Sequence, residues 1–229
     1  MKFFKKTDPT TAEIERGVGI LNSLKIVINV LYALMVFQAF LILPRPDDPE
    51  LEYHSLSQIF SEHIIQLVVI VVGLIMIITY WIQFNKQLGN LVRSSPMHAA
   101  FAIIQMICLM LYLYFVRFDM EFEGMTLALQ MESIFLALAG FIGVYNWVYA
   151  RKNNLTSDQI DETEEKAIFY QILPEPLAAL FSLPFATMSP GAWTISFLII
   201  IPLGYFLNLI KKKQESKIVE KKRTYDQQT

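Results

Sequence analysis

The chain has 229 residues, 54% of them hydrophobic and only 17% charged, with a formal net charge of −2. Its mean hydropathy of +0.42 is too high for an ordinary soluble domain, and the charge gives no basic surface for nucleic acid. A single cysteine, Cys108, excludes an intrachain disulfide and reads as a packing residue.

Residues 1–25 open with Lys2, Lys5 and Lys6, without a cleavable signal-peptide pattern. Thr10-Thr11-Ala12-Glu13 is a capping box that starts a juxtamembrane helix. The first apolar run, Ile26 to Leu43, carries no charge between Lys25 and Pro44. At about 1.5 Å per residue it is just long enough to cross a hydrocarbon core of about 30 Å. Asn29 and Gln38 lie inside it, and amides are costly against lipid.

Five further spans follow, at about 59–84, 97–116, 125–150, 167–188 and 192–210. Tyr80 and Trp81 near one helix end, and Trp147 and Tyr149 near another, read as interface anchors. The fifth span is punctuated by Pro174, Pro176 and Pro184, and it alone looks broken. The chain reads as one all-α, polytopic integral membrane domain over 26–210, with a basic tail over 211–229.

Of the 19 Lys and Arg residues, 17 fall on the side holding both termini, the 2–3 link and the 4–5 link. The positive-inside bias therefore places the N- and C-termini in the cytoplasm. The opposite side is acidic, with Asp47, Asp48, Glu50, Glu52, Glu62, Asp119, Glu121 and Glu123 against Arg45 and Arg117. Around a shared axis this would form an outer acidic mouth that concentrates cations. Translocated loops also lose positive charge for topological reasons alone.

One face of the first span reads Lys25, Asn29, Tyr32, Val36, Ala39, Leu43, in steps of four and three. Two readings are open: a wet vestibule leading to a dry constriction, or a packing face with its amide bonded to another helix. Because Gln38 is on the opposite face, at least one of the two amides joins helices. Glu132, with Gln130 beside it, lies within the fourth span. It is an intramembrane ion or proton site, or a headgroup-level side chain should the span begin later. Glu62 and His63 are adjacent and point apart on a helix, and His54 and His98 stand alone. No metal site, cofactor or catalytic set is expected, and the chain does not read as an enzyme.

The exit Leu41-Ile42-Leu43-Pro44, the turn from Trp81 into Asn85-Lys86, the run Tyr145-Asn146-Trp147-Val148-Tyr149-Ala150 and the proline-rich fifth span resemble the six-helix potassium channels of lysosomes and bacteria. Their Arg-x-x-x-Phe-Ser-Asp motif aligns here with Lys25 and Asn29-Val30-Leu31, so the resemblance is to a divergent form without the motif. It implies a homotetramer in the bacterial inner membrane. The pore, lined by Asn29, Tyr32, Val36, Ala39 and Leu43 with Lys25 at the cytoplasmic mouth, would pass monovalent cations, potassium preferred. The alternatives are a proton- or cation-coupled transporter using Glu132, and a non-conducting subunit docking a soluble partner at 153–166 or the tail.

Overall fold

The computed structural model describes residues 10–41, 56–122, 125–157, 159–210 and 212, setting aside the side chains of 56–63, 65–67, 69 and 162. The described residues are helical apart from turns, caps and one isolated bridge between Leu91 and Thr156. Six helical segments are long and apolar enough to span a membrane, which fits a multi-pass membrane protein.

Helix α1 (Thr11–Phe40) starts at the expected capping box, with Thr10 accepting from the Glu13 N–H and Glu13 reaching back to the Thr10 N–H. It runs unbroken through the juxtamembrane segment into the first span. Helices α2 (Leu56–Gly89), α3 (Pro96–Glu121) and α4 (Thr126–Lys152) follow as full-length rods. At the start of α3, Ser95 caps the His98 N–H at 3.2 Å and Pro96 sits at the first position, where its missing N–H costs nothing.

The fifth span is three pieces: α5 (Glu162–Ile172), α6 (Pro174–Ser182) and a 3₁₀ turn over Leu183–Thr187. Pro174 and Pro184 open the second and third pieces, since proline removes a helix donor and clashes one turn back. The sixth span is also interrupted, contrary to the expectation that only the fifth would be. Helix α7 (Pro190–Ser196) gives way to a 3₁₀ turn over Phe197–Ile199 before helix resumes to 210. Pro202 lies just beyond and cannot donate back into that turn.

Helix α4 is the hub, packing against α2, α3, α5, α6 and α7. Its inward face carries Ala128, Ala137, Ala139, Gly140, Gly143 and Ala150, small residues that let neighbouring backbones approach. By contrast, among the described residues α1 packs chiefly on α2 and α3, through Leu21, Leu24, Ile28, Tyr32, Met35 and Ala39.

At the end of the bundle where α1 begins, here the proximal end, the links are tied together. Val92 N–H donates to Leu155 at 2.9 Å, Ser94 N–H to Gly17 at 3.0 Å and Ser157 N–H to Asn90 at 3.0 Å. Asn154 makes the reversal after α4 in the left-handed region, φ 52°, a conformation asparagine tolerates better than most residues. Arg151 pairs with Glu165 across α4 and α5.

Two aromatic assignments change. Tyr80 is buried and its hydroxyl donates to the Leu136 carbonyl at 3.0 Å. Trp147 is 1% exposed and its indole N–H donates to the Glu165 carbonyl. Both are core side chains rather than interface anchors, whereas Trp81 is exposed as expected.

Candidate functional site

The face of α1 expected to line a path is split by the fold. Tyr32 and Ala39 are buried in the protomer's own core, against α2 and α3, with Tyr32 reaching only the wall of a groove between α1 and α2. Val36 and Lys25 are half-buried, and Asn29 is exposed. Asn29 Oδ1 accepts from the Trp81 indole N–H at 3.2 Å, so Asn29 is an amide that joins helices. Asn29, Tyr32, Ala33 and Val36 with Ile77, Ile78 and Trp81 line an open groove of about 790 Å³ between α1 and α2. Leu43, Asp47, Asp48, Glu50 and Glu52 lie outside the described residues, as do the side chains of Glu62 and His63.

Glu132 is placed decisively. It lies six residues into α4, about 9 Å from the distal end, and is 1% exposed in the core. It is therefore not a solvated helix end. Its Oε1 has no hydrogen-bond partner. Gln130 beside it is half-buried.

A second carboxylate, Glu175, sits in the interior on α6. Its neighbour Pro176 abuts Gly140 of α4, which sets Glu175 about 12 Å further along the bundle than Glu132. Glu175 is 9% exposed, and its Oε2 also lacks a partner. The Gln83 amide of α2 lies near the carboxyl. Gln83 Nε2 in turn donates to the Gln171 carbonyl at 3.5 Å, and Lys86 Nζ donates to Gln171 Oε1 at 2.6 Å. Lys86 and Gln171 are exposed near the proximal end.

The interior also holds tyrosine hydroxyls. That of Tyr80 bonds the carbonyl of Leu136, one turn past Glu132 on α4, and that of Tyr112 lies against Gly73 of α2. Tyr32 Oη is buried without a partner. The sequence signal for Glu175 was present, since a carboxylate inside an apolar span is a functional candidate by default. Its flanking prolines, Pro174 and Pro176, mark the helix break in the same place.

Other buried polar groups have a plainer explanation. Trp193 Nε1 donates to Ser133 Oγ at 2.8 Å, Ser133 and Ser182 share a 2.6 Å bond, and Ser182 donates to the Ala179 carbonyl. That network is satisfied and joins α4, α6 and α7. His98 is buried in the first turn of α3 and meets Ser94 Oγ at 2.9 Å. No group of three or more His, Cys, Asp or Glu able to hold a metal occurs among the described residues.

No family model, characterised protein or solved structure matches the chain.

Proposed function

We propose that this protein moves cations across a membrane, with Glu132 as the ion- or proton-accepting group inside each protomer. The observation behind this reading is the burial of Glu132 with one carboxylate oxygen unpartnered, in a span apolar enough to cross a bilayer. A carboxylate kept only for packing would find donors for both oxygens, because an unsatisfied one in a dry interior costs several kcal/mol, roughly. The two interrupted spans, fifth and sixth, support a transporter, since broken helices accompany ion sites in many of them. The bilayer is its solvent, the proximal end is cytoplasmic, and cations are its partners.

The orientation has its own test. With Cys108 replaced, cysteines at Asp48 and Ser157 are challenged with an impermeant thiol reagent outside the cell. Position 48 is expected to react and 157 to stay protected; the reverse pattern inverts the topology.

The cargo reading is tested in proteoliposomes of the purified chain under proton, potassium and sodium gradients. Glu132→Gln keeps the side-chain shape and removes the titration. It should cut the wild-type flux at least tenfold and flatten its pH dependence. An unaltered flux in a folded variant removes Glu132 from the path.

That outcome would favour a second reading, the homotetrameric potassium channel of the inner membrane. It is supported by the α1 face Ile26, Val30, Ala33, Phe37 and Leu41, which stands exposed in the single chain and which a second copy could cover.

A further inference from the structure

We propose that the groove between α1 and α2 binds one anionic phospholipid from the proximal leaflet. The phosphate lies at Lys25, an ester carbonyl at Asn29, and one acyl chain over Tyr32 and Val36. The site involves neither Glu132 nor the ion that the protein moves.

The groove has a polar end and an apolar run. At the polar end Asn29 Oδ1 accepts from the Trp81 indole N–H at 3.2 Å. That bond uses the amide oxygen, so what Asn29 offers a ligand is its Nδ2 donor. Asn29 is exposed, and an amide against hydrocarbon is costly unless an acceptor meets it. Lys25 lies one turn nearer the proximal end on the same face, just before the first apolar run. Side chains on a helix lean toward its N-terminus, so the Lys25 ammonium is carried toward the headgroups. From Asn29 inward the walls are Tyr32, Ala33 and Val36 of α1 with Ile77 and Ile78 of α2. Tyr32 is buried, edge-on to Phe84 with ring centroids 6.5 Å apart, and forms the floor. Cation, amide donor and apolar wall follow in the order of phosphate, ester carbonyl and acyl chain in a phospholipid.

Depth decides between occupants. Val36 lies eleven residues beyond Lys25, about 16 Å deeper at about 1.5 Å per residue. That is close to half of a hydrocarbon core of about 30 Å, the thickness of one leaflet. A spanning helix of a second copy would need the whole thickness, whereas an acyl chain needs only this half. The volume of about 790 Å³ falls within the range of roughly 300–1,000 Å³ usual for small-ligand sites. The surface around the groove, with Val30, Phe37, Ile75 and Ile82 exposed, is apolar, so entry is from the bilayer. Charge sets the headgroup class. The proximal side carries 17 of the 19 Lys and Arg residues, which favours an anionic lipid.

The test uses the full chain in phosphatidylcholine vesicles, with acyl-brominated phosphatidylglycerol or phosphatidylcholine introduced in steps. Bromine quenches an indole that it touches. Trp147 and Trp193 are 1% and 8% exposed, so the quenchable emission belongs to Trp81 and is read as the part lost in Trp81→Phe. Phosphatidylglycerol should half-quench Trp81 at a mole fraction about fivefold lower than phosphatidylcholine does, the preference one lysine gives at an anionic headgroup. Lys25→Gln should bring the two lipids to about the same value. Ala33→Phe, at an exposed wall position, should fill the groove and raise the phosphatidylglycerol half-point about fivefold. Equal half-points for the two lipids in wild type would mean unselective bilayer around Trp81 and overturn the proposal. A preference that survives in folded Lys25→Gln overturns it as well. No quenching by either lipid, with protection lost as the protein is diluted in lipid, would put a second copy in the groove and overturn the lipid assignment. Should Lys25→Gln misfold, Ala33→Phe decides: an unaltered phosphatidylglycerol half-point overturns the site.

Discussion

Gly140→Ala is expected to destabilise the bundle by about 1–3 kcal/mol, the usual range for overpacking a well-packed core. A Cβ there would lie 2.6 Å from Pro176 Cβ and 2.8 Å from its Cγ and Cδ. The proline ring is rigid and sits at the start of α6, so it cannot rotate away. Relief requires α6 to move off α4, and Glu175, the preceding residue, moves with it. The loss exceeds the gain of about 1 kcal/mol that alanine normally brings to a helix interior.

Gly143→Ala is the control. Its Cβ would meet Gln105 Nε2 at 2.7 Å, but that is the far end of a flexible side chain that can turn aside. Thermal unfolding in detergent should therefore show a clear fall in Tm for Gly140→Ala and little change for Gly143→Ala. Equal midpoints for Gly140→Ala and wild type would mean that α4 and α6 are not in such close contact.

The consequence of that contact is functional as well as structural. Small residues on α4 bring the broken fifth span inward, and the break places Glu175 in the interior. The prolines that interrupt backbone pairing therefore position a carboxylate that an unbroken apolar helix would not be expected to carry there. Glu132 needs no such device, since it lies on a regular helix whose inward face is fixed by packing against α3.

How far the sequence discloses this arrangement depends on the kind of signal. Apolar length reveals six spans, and the Thr10–Glu13 box gives the start of α1, because both are local. Glu132 stands out as a charge in an apolar run. The inward face of α1 is not legible, since a helix apolar all round offers no amphipathic contrast. Tyr32 and Ala39 consequently fall in the core while Asn29 is exposed beside Trp81. The break in the sixth span is hidden because Pro202 follows the turn it disrupts rather than opening a segment. Tyr80 and Trp147 mislead for another reason. An aromatic near a helix end looks the same in sequence whether it meets headgroups or a neighbouring helix.

Trp147 provides the sharpest test of that distinction. Trp147→Ala should cost near the low end of the roughly 3–5 kcal/mol typical of removing a buried aromatic. In a bilayer the apolar transfer term is small, because lipid is as apolar as the core; what remains is lost packing around the cavity. The indole is 1% exposed and also donates to the Glu165 carbonyl at 3.2 Å, so its removal loosens α5 from α4 beside the Arg151–Glu165 pair. Trp81→Ala loses one bond to Asn29 from a side chain 42% exposed, and should cost about 1 kcal/mol, the worth of a single hydrogen bond. Titration of micelle-bound protein with sodium dodecyl sulfate, followed by helical circular dichroism, measures both. Were Trp147→Ala to unfold at the same detergent fraction as Trp81→Ala, both tryptophans would be interface anchors. The packing of α5 on α4, and with it the setting of Glu175, would then have to be redrawn.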